Sequence, residues 1–184
     1  MSFTLPPRGV EVALLALVLG AAIYDVRYRR IPNWISVTGA LIGLALNTFL
    51  YPTLPGLLHA LKGLGLAFLV YLVLYAVHAM GAGDAKLMAA VGSLVGWEDW
   101  VGIFIITAIV GGIMAVILVT ARKRLKTTVW NVGFILTEMK SGRAAYVNRE
   151  ELDVRSPRSV GLPHGAVIAV GTLFFLAMSA HFTK

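Results

Sequence analysis

Residues 81–120 read GAGDAKLMAAVGSLVGWEDWVGIFIITAIVGGIMAVILVT, and the number of helices in that stretch decides the fold. Two apolar runs, 84–97 and 100–120, flank the charged pair Glu98 and Asp99. The second is long enough to cross a bilayer, which takes ~20 apolar residues. The first has only fourteen, and reads either as a short crossing or as a re-entrant segment. Charge chooses between the two. With six spans and the amino terminus outside, Arg27, Arg29, Arg30, Lys86 and all of 121–159 face the cytoplasm. That places thirteen of the sixteen basic residues inside. If 84–97 did not cross, the basic run at 122–126 would lie outside, against the positive-inside rule.

Working outward, the candidate spans are 9–25, 34–51, 57–79, 84–97, 100–120 and 160–181. Pro32 and Asn33 break the chain between the first two, and Tyr51-Pro52-Thr53-Leu54-Pro55-Gly56 is a tight turn before the third. The chain is 58% hydrophobic and 14% charged, with a mean hydropathy of +0.81. A soluble domain is nearer half apolar and a quarter charged. The expected fold is therefore all-α, a polytopic membrane bundle of about six helices forming one domain over 1–184. The first apolar window runs straight into Asp25 with no small-residue cleavage pattern, so a retained helix is expected there. In the 121–159 loop, Val129, Val132, Ile135, Leu136 and Met139 recur at helical spacing beside Trp130. This predicts an in-plane amphipathic helix over 127–140, followed by a polar, loosely ordered 141–158.

The composition also excludes chemistry. There are no cysteines, hence no disulfide, thiol catalysis or cysteine zinc site. The histidines at 59, 78, 164 and 181 lack metal-site spacing, and no metal or cofactor is expected. The net charge of +7 sits where it orients spans and meets lipid headgroups, so the lipid bilayer is the expected partner and nucleic acid is not. A homo-oligomer is compatible with so small a bundle.

Of nine acidic residues, Asp25 closes the first span and Asp84 opens the fourth. Ionisable groups at membrane depth are expensive and are functional candidates by default. Hydropathy and charge put both at cytoplasmic helix ends, where they can share a site. Two carboxylates suit hydrolysis of a peptide bond, one activating water as general base and the other donating a hydrogen bond or proton to the carbonyl. Gly81 and Gly83 leave room for the backbone to unwind ahead of Asp84 and for an extended substrate to approach. Lys86 is placed either to bias the pair or to contact a headgroup. Plainer readings exist for each aspartate alone. Asp84 before an apolar run looks like a helix N-cap, and Asp25 can pair with Arg27 or Arg29. His78 and His164 read first as structural residues, with His164 close enough to approach the site.

Asp25 followed by Arg30-Ile31-Pro32-Asn33, and Gly81-Ala82-Gly83-Asp84 with Lys86-Leu87, resemble the two signature motifs of the prepilin peptidases, which are GxGD aspartic peptidases. Leu162-Pro163-His164-Gly165-Ala166, with apolar residues on to Gly171, is similar to that family's carboxy-terminal segment. The resemblance implies a membrane endopeptidase with an Asp25/Asp84 dyad. Its partner would be a prepilin-like substrate, cleaved of a short basic leader at the cytoplasmic face of the cytoplasmic membrane. Larger members also methylate the new amino terminus and carry paired CxxC motifs. This cysteine-free chain resembles the short, peptidase-only branch of Tad/Flp pilus and archaeal preflagellin systems, which implies neither zinc nor methyl transfer. Tyr24-Asp25 and GxGD are also similar to the presenilin group, whose Pro-Ala-Leu motif is absent here. A different class stays open, a small carrier or pilus-assembly scaffold using the aspartates for protons or cations. Such sites belong near the bilayer midplane.

Overall fold

The computed structural model describes residues 6–50, 54–123, 125–140 and 163–182. The described residues form six helices: α1 (Arg8–Tyr28), α2 (Asn33–Leu50), α3 (Leu54–Ala76), α4 (Ala82–Ala121), α5 (Leu125–Lys140) and α6 (His164–Phe182). No strand occurs among them. All but α5 are long and apolar enough to cross a membrane. The polar stretch expected over 141–158 and residues 51–53 of the expected turn lie outside the described residues, while 54–56 of that turn already belong to α3.

At 40 residues α4 is too long for one crossing, since an unbroken helix of that length runs about 60 Å against a core of about 30 Å. It is in fact two helices. Gly96, at φ 78° and ψ 179°, is non-helical and breaks it into 82–95 and 97–121. Packing shows that the chain doubles back there. Lys86 meets Asn33, and Asn47 meets Ser93 and Leu94, so 82–95 runs parallel to α2. Gly102 faces Phe175, and Gly111 faces Val167, so 97–121 runs antiparallel to α6 and returns to the end from which 82–95 began. The chain thus traverses the bundle six times, as the charge argument required. The turn, however, lies at Gly96 rather than at Glu98–Asp99, because only glycine takes this φ without strain. The two acids fall in the first turn of the returning helix, where its dipole favours them.

The 82–95 helix is the centre of the bundle. Every residue from Leu87 to Val95 is buried, as is Gly96, which suits a run that is apolar all round. Lipid offers no hydrophobic drive between helices, so close packing and buried hydrogen bonds hold it. Gly63 of α3 and Gly92 lie backbone against backbone. From α2, the Asn47 side-chain amide donates to the Gly43, Ser93 and Leu94 carbonyls, each at 3.0 Å. Buried Tyr71 of α3 packs on Trp100 and Phe104, with centroids 6.4 and 5.9 Å apart. Helix α6 closes the other side, against α1 and α4.

Candidate active site

The buried face of α1 runs Val10, Leu14, Val18, Ala21, Asp25, at steps of three and four. Asp25 therefore continues an apolar stripe inward, and is 8% exposed while Tyr24, Val26 and Arg27 beside it face outward. One turn later α1 ends at Arg29 in the left-handed conformation. The Asp25 Oδ2 accepts the N–H of Gly165 at 2.7 Å. Gly165 is the second residue of α6, whose first N–H groups have no partner within their own helix. Asp25 thus caps α6 from another helix, at the positive end of its dipole. Gly165 makes the approach possible, since a Cβ there would stand 3.0 Å from the Asp25 Cβ and 3.1 Å from Oδ2.

Asp84 is the third residue of α4, and its Oδ2 accepts the Gly81 N–H at 3.2 Å. Gly81 is extended (φ −79°, ψ 154°), so the unwinding expected ahead of Asp84 stops there. Gly83 is already helical, and a Cβ on it would lie 3.3 Å from that of Ile31. Its smallness admits the α1–α2 turn against the start of α4. Lys86 is exposed and donates to the Asn33 Oδ1 at 2.9 Å, tying the same two elements together. Both plain readings change in detail. Asp84 caps α4 from its third position and not from the N-cap, and Asp25 accepts a backbone N–H from α6.

The two aspartates lie at the same end of the bundle. Asp84 lies within electrostatic reach of Asp25 and of His164, the first residue of α6. The His164 Nε2 is buried and has no hydrogen-bond partner among the described residues. Tyr71, 1% exposed, is also within electrostatic reach of Asp84. Sequence reading passed over Tyr71 altogether, and ranked His164 as structural. The hint for His164 was its place in Pro163-His164-Gly165, at a helix start on the same membrane face.

Beside the aspartates, Tyr24, Tyr28, Arg30, Ile31, Pro32 and Asn33 line a cleft of about 420 Å³. Tyr24 packs edge-on against Trp34 with centroids 6.1 Å apart, and the Arg27 guanidinium sits 5.6 Å from the Tyr28 ring centre. Ile31 belongs both to this cleft and to the wall that Gly83 meets, so the cleft adjoins the Asp84 side of the site. Among the described residues no group of three or more His, Asp or Glu side chains is arranged to hold a metal.

Residues 12–116 match the sequence profile described as the type IV leader peptidase family. That span contains both aspartates and ends before α5 and α6. No curated protein matches significantly. No solved structure does so either.

Proposed function

The chain belongs to the type IV leader peptidase family, and on that premise we propose that it is an aspartic endopeptidase whose dyad is Asp25 and Asp84. As a peptidase of this family, with helices built to cross a bilayer, it is an integral membrane protein. The observation that supports the proposal is that these two carboxylates, 59 positions apart in the chain, lie at the same end of the bundle, Asp25 on the start of α6 and Asp84 beside the α1–α2 turn. In each, the bonded atom is Oδ2. A carboxylate has a second oxygen with its own lone pairs. In the proposed mechanism the backbone N–H groups hold one oxygen of each side chain, and the second oxygen is the one that acts on a water molecule.

Catalysis then follows from a shared proton. Two carboxylates held close do not both ionise easily, so the pair carries one proton between them. The ionised member takes a proton from water as the oxygen attacks the scissile carbonyl, and the protonated member gives its proton to the carbonyl oxygen. Collapse of the tetrahedral intermediate returns a proton to the leaving amine.

The substrate would be a prepilin-like protein, losing its short leader at the cytoplasmic face of the cytoplasmic membrane. Support for that face comes from the basic residues, which gather at the end of the bundle that holds the aspartates. The carrier reading is disfavoured by the same placement, because both aspartates stand within a turn of a helix end and not at mid-bundle. Co-expression with a prepilin-like substrate tests the proposal. Conversion of the substrate to its shorter form by the wild type, and its persistence with Asp25→Asn or Asp84→Asn, is the expected result. Conversion by either variant would sink the dyad.

A further inference from the structure

Helix α5 is built unlike the spans around it. After Ala121 the chain does not continue along the axis of α4. Lys123, at φ 53°, is left-handed and turns it. Helix α5 starts four residues beyond Ala121, at Leu125, so it begins within about 14 Å of the end of a membrane-crossing helix. At 100° per residue, Leu125, Val129 and Val132 fall on one stripe, and positions 136 and 139 continue the spacing with Leu and Met. Leu125, Val129 and Val132 are 49%, 67% and 50% exposed, and α5 has only a slight contact with α4. An apolar stripe left open in this way needs a cover.

Charge and position say which cover fits. Between 122 and 140 stand Arg122, Lys123, Arg124, Lys126 and Lys140 against a single acid, Glu138. Lys126 stands about 100° from Leu125, at the edge of the stripe, where its stem can lie along apolar surface with the ammonium among headgroups. Trp130, 71% exposed and four residues after Lys126, has the amphipathic ring favoured at a membrane interface. A second copy packed here would bring the basic residues Arg122, Lys123 and Lys126 of one chain against those of the other. An anionic surface carries the complementary charge.

We infer that α5 is an in-plane anchor that binds an anionic phospholipid surface on the membrane face where Asp25 and Asp84 lie. Its apolar stripe enters the acyl boundary, and Arg122, Lys123 and Lys126 engage headgroup phosphates. This does not depend on the peptidase reading. The absence of cysteine makes the test clean. Nitroxide labels are attached to Val132→Cys on the stripe and to Thr127→Cys, about 200° round from Leu125. Each purified protein is placed in nanodiscs of phosphatidylcholine, or of an equal mixture with phosphatidylglycerol. In the mixture, the label at 132 is expected to be accessible to oxygen and shielded from an aqueous nickel complex, with the reverse at 127. The contrast should fade in pure phosphatidylcholine, and also in the mixture once Arg122, Lys123 and Lys126 are all changed to Gln. Water-exposed labels at both positions would overturn the anchor. Equal immersion in both lipids would overturn the anionic assignment, and spin–spin broadening at 132 would point to a second copy instead.

Discussion

At Asp25 one carboxylate oxygen is already committed, to the Gly165 N–H at 2.7 Å. The cap and the proposed catalytic group are thus the same side chain, and Gly165 sets its position. Gly165→Ala would force a methyl group to 3.0–3.1 Å from Asp25. The expected cost is about 1–3 kcal/mol of stability from overpacking, read as a lower melting temperature in detergent, with cleavage falling further than stability accounts for. Unchanged melting and cleavage would show that α6 does not depend on this contact. His164 gives a second prediction. A buried polar atom with no partner is costly to leave so; the His164 Nε2 is such an atom, on a residue within electrostatic reach of Asp84, and a water or a substrate carbonyl would satisfy it. His164→Phe should lower kcat about tenfold, the worth of one ordinary hydrogen bond, with KM little changed. His164→Gln, which keeps a donor, should recover part of the loss. Equal rates in all three proteins would make His164 structural after all. Asp25 and Asp84 were legible in the sequence because acids are rare there and cost energy near lipid. The role of Gly165 was not, since it depends on α6 packing against α1, 140 positions earlier; for His164 only its place at a helix start on the same membrane face was legible.

The broken helix α4 determines where Asp84 sits, and Gly96 determines the break. An alanine at φ 78° is strained, and its Cβ would fall on the His59 ring. Together these should cost about 2–4 kcal/mol in Gly96→Ala, seen as a lower melting temperature. Adding His59→Ala should recover the steric part only, because the backbone strain stays. A Gly96→Ala protein that melts with the wild type would mean that the turn is made elsewhere. Length and apolar runs were enough to divide 81–120 into two segments. They misplaced the join, because a pair of acids reads equally well as a loop or as the first turn of a helix. Helix α5 was legible from its spacing, with its start at 125 and not 127. That 82–95 lies at the centre of the bundle could be suspected from its uniform apolarity, but its neighbours could not be named.

For the molecule as a whole, charge distribution and connectivity agree. Six traversals bring the α1–α2 turn, the start of α4, its far end at Ala121 and the start of α6 to one face. The basic residues crowd that face as well. That these basic residues share one end could be expected from the sequence, because positive charge is costly to translocate. The spatial order of the helices could not, since it depends on glycine contacts such as Gly63 with Gly92 that leave no periodic trace. Asp25 and Asp84, each held by a backbone N–H group at the same end of the bundle, are proposed to act together. The most direct test is the cleavage rate of a prepilin-like substrate by purified protein in lipid discs, for wild type, Asp25→Asn, Asp84→Asn and the double variant. Asparagine keeps an oxygen that can accept the Gly165 or Gly81 N–H, so the fold is spared. Residues that act as a unit lose their effect together. Each single change should therefore lower kcat by roughly a thousandfold or more, and the double change should be no worse than either single one. A single variant that keeps more than about a tenth of the wild-type rate, a loss under ~1.4 kcal/mol of transition-state stabilisation, would contradict the paired mechanism.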